Sequence, residues 1–374
     1  MVRMRTLRFL TLLLAAAAGA AAAGSPAYFA YIGTYTGHGS QGIYVYRFEP
    51  VTGALTSLGL AAQTENPSFL AVDPQGTHLY AVNENEAGTV SAFRIDRTGG
   101  KLTPVSRVSS GGSSPCALAV DRAGRFVLAA NYGSGSVTLF RIRTDGSLAV
   151  ASAFDQHKGS GIDRQRQAGP HAHSASFSPD DLFALSADLG VDLIYIYRLD
   201  ARRGRLSPAG YGGVAPGSGP RHLAFHPNGR FAYAINELTS TVTAFAWDAG
   251  ALKAIGTVPA LPQGYQGPKS GAEIQVHPNG KFLYASNRGE ANDIAIFNID
   301  VQTGRLTPAG HVPSGGRTPR SFSVDPSGQY LFVANQDSNN VVVFHIDPIN
   351  GQLTSTGKSL AISAPVAVQF VPAE

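Results

Sequence analysis

Residues 219 to 237 read GPRHLAFHPNGRFAYAINE, two short apolar strands around an HPNG turn. Alternating apolar residues bounded by Pro, Asn and Gly are the pattern of a β-hairpin. The first strand nevertheless opens on Arg221 and His222, and the second closes on Asn236 and Glu237. Polar residues at those ends are explained only when the rest of the chain is aligned with this stretch.

Six turn tetrads can be aligned: DPQG at 73, DRAG at 121, SPDD at 178, HPNG at 226, HPNG at 277 and DPSG at 325. Their spacings of 48, 57, 48, 51 and 48 residues lie in the range of propeller blades. Around the first tetrad, PSFLAV precedes Asp73 and HLYAVN follows Gly76, then TVSAFRID from Thr89 and KLTPVSRV from Lys101. Four strands with period-two alternation make one antiparallel blade. The chain ends complete a seventh: AYFAYIG (27–33), GIYVYRFE and LTSLGLA supply three strands, and APVAVQF (364–370) supplies the missing innermost one. The expected fold is therefore all-β, a seven-bladed β-propeller over residues 24–374 closed by the C-terminal strand. Such closure leaves no long free edge, and a monomer is expected.

Composition agrees. The 374 residues include 43 glycines and 23 prolines, and only 14% are charged, which suits many short strands joined by tight turns. Residues 1–23 have a different character. Arg3, Arg5 and Arg8 precede the apolar run FLTLLLAAAAGAAAA, and Ala21-Ala22-Ala23 fits small-residue cleavage, so a secretory signal peptide is expected, with a periplasmic or secreted mature chain. A retained anchor is the rival reading, although the run is short for a span of about twenty residues. Without those three arginines the formal charge falls from +4 to +1, which argues against a nucleic-acid partner. The single cysteine, Cys116, excludes an internal disulfide framework, so packing must hold the fold.

Two columns emerge from the alignment. At the mouth of each innermost strand, just before the tetrad, stand Ser68, Cys116, His173, Arg221, Glu273, Arg320 and Val366. First strands line a propeller's channel, so these side chains should converge on one funnel. At the end of the adjacent strand Asn83, Asn131, Asp188, Asn236, Asn287 and Asn335 recur, each followed by a variable residue: Glu84, Tyr132, Leu189, Glu237, Arg288 and Gln336. The repeated Asn suits local backbone hydrogen bonding; a ring of calcium-binding oxygens is the other reading. The charged residues suit either a ligand site or an ion-pair plug. A buried ion pair is often less favourable than apolar packing by about 1–4 kcal/mol, and Ser, Cys and Val occupy equivalent positions, so the fold does not demand charge there. The 57-residue spacing places about nine extra residues in HKGSGIDRQRQAGPHAHS, where a substrate-gripping loop would sit. His171 and His173 share a face of extended chain, but no third metal ligand accompanies them, and no metal is expected.

YIGTYT, NPSFLAVDP, ANYGSGSV, RQAGPHAHS, PRHLAFHPNGRFAYAINE and IQVHPNGKFLYASNRG together resemble the lactonase family of seven-bladed β-propellers, which includes bacterial 6-phosphogluconolactonases and resembles fungal carboxymuconate-lactonising enzymes. The likeness runs from about residue 28 to 371. It implies metal-independent and cofactor-free hydrolysis of a sugar or acid lactone, with His173, Arg221, Glu237 and Arg288 as the catalytic set. His173 or Glu237 would be the base, and the arginines would hold the oxyanion. Expected substrate contacts are His171, His222, Glu273, Arg320, Arg166, Gln167, Glu84, Tyr132 and Lys269. Relatives often carry His where this chain has Glu290, and a leader peptide sits awkwardly with a cytosolic phosphorylated substrate. The rival class is a non-catalytic envelope propeller binding a protein, glycan or cell-wall ligand; a calcium-dependent lactonase site is a third option. The lone Trp247 gives no repeated Trp-Asp signature.

Overall fold

The expected hairpin is present: Pro220–Phe225 and Phe231–Asn236 pair antiparallel, with Leu223 opposite Ala234. The computed structural model describes residues 27–37 and 39–374; the leader read at 1–23 lies outside the described residues. Among the described residues the hairpin motif is repeated as seven four-stranded antiparallel sheets. Each runs from the channel outward in chain order, except that closing the ring. In that sheet Pro365–Pro372 is the inner strand and pairs with Tyr28–Thr34, followed by Gly42–Glu49 and Ala54–Gln63. The chain is a seven-bladed β-propeller. No helix among the described residues is long and apolar enough to cross a membrane.

Alternation along the middle strands gives each blade two apolar faces, and the core consists of layers between neighbouring blades. Phe231, Tyr233 and Ile235, for example, pack against Leu283, Ala285 and Phe297 of the next sheet. Phe29, Tyr31 and Val371 of the closing blade pack similarly against Leu79 and Phe93. The tetrads bind these layers at the edge remote from the polar column. Oδ1 of Asp121 accepts the amides of Arg125 and Phe126 at 2.6 and 2.7 Å. His226 accepts the amide of Asn228 at Nδ1 and donates from Nε2 to the Gly280 carbonyl of the next blade. Gly229 ends its tetrad at φ 72°, a left-handed conformation in which a Cβ would be strained.

At the opposite edge the inner strands bulge. Register slips between Pro115 and Ala117, between Pro220 and His222, and between Pro319 and Ser321, leaving Cys116, Arg221 and Arg320 as the additional residues. A β-bulge re-aims a side chain, and here it helps direct the first polar column. The repeated amides serve the blade: Asn236 Nδ2 donates to Thr241 and Thr243 hydroxyls at 2.9 Å, and Asn287 Nδ2 to Asp293 Oδ1 at 2.8 Å.

Candidate active site

The two columns meet at a cavity of about 170 Å³ in the mouth of the channel, lined by Glu84, Cys116, Tyr132, Arg166, His173, Glu237, Arg288 and Arg320. One wall is organised by Glu237. Its Oε2 lies 3.1 Å from Arg221 Nε and 2.8 Å from Arg288 Nη2, and its Oε1 is 2.6 Å from Arg166 Nη2. Burial alone would raise the carboxyl's pKa, but Arg288, Arg221 and Arg166 outweigh burial and hold it at about 2. Glu237 is thus a fixed anion at neutral pH and a poor proton acceptor.

The facing wall is built by Arg320. Its guanidinium lies 3.6 Å from Glu84 Oε2 and 5.3 Å from the centre of the Tyr35 ring, while Tyr35 donates its hydroxyl to Glu84 at 2.8 Å. Burial opposes the charge on Arg320, but Tyr35 and Glu84 overcome that and raise its pKa. Three guanidiniums, those of Arg166, Arg288 and Arg320, therefore line the cavity with two carboxylates, Glu84 and Glu237. The surplus is positive.

His173 stands between the walls. Its Nδ1 is 3.5 Å from Cys116 Sγ, and its ring meets Tyr132 and His222 edge-on with centres 5.2 Å apart in each case. Burial first, then the charges of Arg221, His222 and Arg320, push its pKa well below 6.5. The imidazole is neutral. Burial also pushes the Cys116 thiol up, so the sulfur remains protonated.

Other expected contacts occupy different positions. Arg221 is only 1% exposed and lies behind Glu237, donating from Nη1 to the Ala272 carbonyl at 2.7 Å. Its pKa is pushed down to about 10 by burial, then by Arg288 and Arg320, which leaves it cationic at neutral pH. Glu273 does not belong to the first column. It stands four residues before its tetrad, where Arg221 and Arg320 stand five before theirs, so Ala272 is the true equivalent. Glu273 instead joins His222 at 3.0 Å and Ser321 at 3.3 Å and faces a second cavity of about 340 Å³ at the other end of the channel. His222 contacts Arg221 and Glu273 and does not line the first cavity. His171 lies flat on Tyr132, with ring centres 4.6 Å apart, and donates to its carbonyl. Gln167 is fully buried, donating to the Leu189 carbonyl and Asp192. Lys269 is exposed and outside the cavity wall. Tyr35 escaped the sequence reading because it belongs to the closing blade, whose second strand carries no tetrad before it.

Metal-holding geometry is absent among the described residues: no group of three or more His, Cys, Asp or Glu converges.

Comparison with known proteins agrees with this architecture. Residues 29–370 match the family model described as lactonase, 7-bladed beta-propeller. The chain is similar to a 6-phosphogluconolactonase of Bacillus subtilis, 37% identical over 347 residues that cover 92% of this chain and 98% of the relative. A 6-phosphogluconolactonase of Formosa agariphila is 37% identical over 348 residues, covering 91% and 98%. Among solved structures, the periplasmic gluconolactonase of Pseudomonas aeruginosa superimposes with a TM-score of 0.88 at 34% identity, covering 92% of this chain and 99% of that one. Matched along nearly its whole described length, the chain belongs to the lactonase family of seven-bladed β-propellers.

Proposed function

We propose that this chain is a lactonase, a carboxylic ester hydrolase that opens a small sugar or acid lactone with water. The observation that carries the reading is the neutral His173 in a cavity lined by three guanidiniums, Arg166, Arg288 and Arg320, and two carboxylates, with Arg221 behind Glu237. At about 170 Å³ the cavity is smaller than the roughly 300–1,000 Å³ that suits drug-sized ligands. It fits one ring-sized molecule. The relatives from Bacillus and Formosa extend the substrate class to gluconolactone 6-phosphate, and the Pseudomonas enzyme extends it to unphosphorylated gluconolactone.

His173 is the base. With the Cys116 thiol directed to the Ala172 carbonyl, 3.8 Å away, Sγ can accept Nδ1–H and leave the Nε2 lone pair for a water molecule. Water attacks the carbonyl carbon as its proton passes to the imidazole; the tetrahedral intermediate then breaks the ring C–O bond, and that proton returns to the departing alkoxide. Glu237 is too strongly stabilised as an anion to compete for the proton. Arg288 and Arg320, which face the cavity, stabilise the oxyanion and any acidic group through planar donors. Arg221 acts one layer behind by fixing Glu237. A general base contributes about 10²–10⁴ and an oxyanion donor about 10²–10³, sufficient for an ester that already hydrolyses in water. The reaction as written needs no metal or organic cofactor.

Export is part of the proposal, supported by the basic and apolar character of residues 1–23 and by the periplasmic relative. The test is a pH-stat screen of the purified protein against gluconolactone, its 6-phosphate and several non-sugar lactones. Turnover above the spontaneous rate is expected for at least one sugar lactone. Binding without turnover across the panel would favour the non-catalytic class.

A further inference from the structure

Asp188 breaks the repeated column. Asn83, Asn131, Asn236, Asn287 and Asn335 fill its place in other blades, and all are fully buried, as is Asp188. An asparagine amide offers one oxygen and one donor nitrogen, whereas Asp188 uses both oxygens as acceptors. Oδ2 lies 2.6 Å from His157 Nδ1, and Oδ1 accepts the amides of His171 at 2.7 Å and Gly190 at 2.9 Å. His157 opens the inserted segment and His171 closes it. The two ends of the insertion are therefore joined through one carboxylate.

The same segment is held at three further points. His157 Nε2 is 2.8 Å from the Tyr197 hydroxyl, and its ring stacks on Tyr195 with centres 3.7 Å apart. Gln167 donates to Leu189 and Asp192 from within the insertion. Arg166, its neighbour in sequence, reaches Glu237 and, at 3.5 Å, the Tyr132 hydroxyl. We propose that residues 157–173 form a tethered strap across the cavity mouth, that Asp188 and His157 are its clamp, and that the clamp positions Arg166 toward the substrate. Asp188 and His157 are positioning residues; neither lines the cavity. The assignment to substrate positioning rests on the lactonase reading, whereas the clamp itself does not.

Trypsin tests the clamp without substrate. The strap carries Lys158, Arg164 and Arg166, and cleavage at each can be followed by mass spectrometry of the native full chain. Asp188→Asn restores the residue of the other blades but removes one acceptor. His157→Phe preserves an aromatic ring for Tyr195 and loses both nitrogens. In whichever variant melts cooperatively, cleavage within the strap is expected to be at least tenfold faster than in the parent; parent-like rates would overturn the clamp. A substrate assay supplies the second arm. Arg166→Ala and Asp188→Asn should each raise KM at least threefold, and the double variant should be no worse than Arg166→Ala alone, because both act through one side chain. Fully additive effects would overturn positioning through Arg166. Faster cleavage in a protein with no lactonase activity would leave the clamp standing and remove only its link to substrate.

Discussion

Arg288 Nη2 lies 2.8 Å from the same Glu237 oxygen that Arg221 Nε approaches at 3.1 Å, so one carboxylate aligns a guanidinium that faces the cavity with one that does not. This pairing separates two roles that are indistinguishable in sequence. Arg288→Ala should lower kcat/KM at least tenfold, and also the melting temperature, because Arg288 is the largest of the charges holding Glu237 ionised. Arg221→Ala should lower the melting temperature in the same way, since it too leaves Glu237 with one buried counter-charge fewer, and kcat/KM by less than Arg288→Ala. Activity and melting measurements on the two purified variants check the split.

Replacing His173 by Ala should lower kcat at least tenfold in a protein that still melts cooperatively, consistent with the loss of a general base. Parent-like turnover would place proton transfer elsewhere.

The pH profile should be flat through neutrality. Burial and the surrounding cations keep His173 in its basic form well below 6.5, so kcat/KM should lack an acidic limb centred near that value. A limb near 6.5, once spontaneous hydrolysis is subtracted, would contradict this environment.

Acid should destabilise the fold through Glu237. Its carboxyl is depressed from 4.5 to about 2 in the folded chain, so the stabilisation is present above 4.5 and lost as pH falls from there through 2. His173, depressed from 6.5, acts in the same direction below 6.5, where the unfolded chain takes up a proton that the folded chain refuses. Chemical denaturation between pH 7 and 3 should register the decline. Glu237→Gln should be less stable at pH 7, since breaking a buried pair costs about 3–5 kcal/mol, and should show a shallower decline below pH 4.5.

Removing residues 365–374 deletes the strand that pairs with Tyr28–Thr34 and exposes Phe29 and Tyr31. The truncated chain should lose cooperative melting and aggregate, whereas deletion of Glu374 alone should not. Scanning calorimetry and light scattering distinguish the two.

The blade pattern was legible because turn chemistry and alternation recur, so that GPRHLAFHPNGRFAYAINE predicted both its strands and its polar ends. The cavity was largely legible for the same reason: Cys116, His173, Glu84 and Arg288 stand where repetition fails. The offset of Glu273 was legible as well: counting back from the HPNG turn at 277 puts Ala272, and not Glu273, level with Arg221 and Arg320. Insertion residues carry no repeat to align with. Arg166 and Gln167 are adjacent in sequence, yet one meets Glu237 and the other is buried beneath the loop. The tie from His157 to Asp188 spans 31 positions and follows from no local pattern.

Ring closure also fixes the direction from which the chain arrives. Tyr28 lies opposite Pro372 and Thr34 opposite Pro365, so the first described strand rises from the tetrad side and ends beside the cavity at Tyr35. Whatever precedes Ala27 is joined to the face turned away from the mouth.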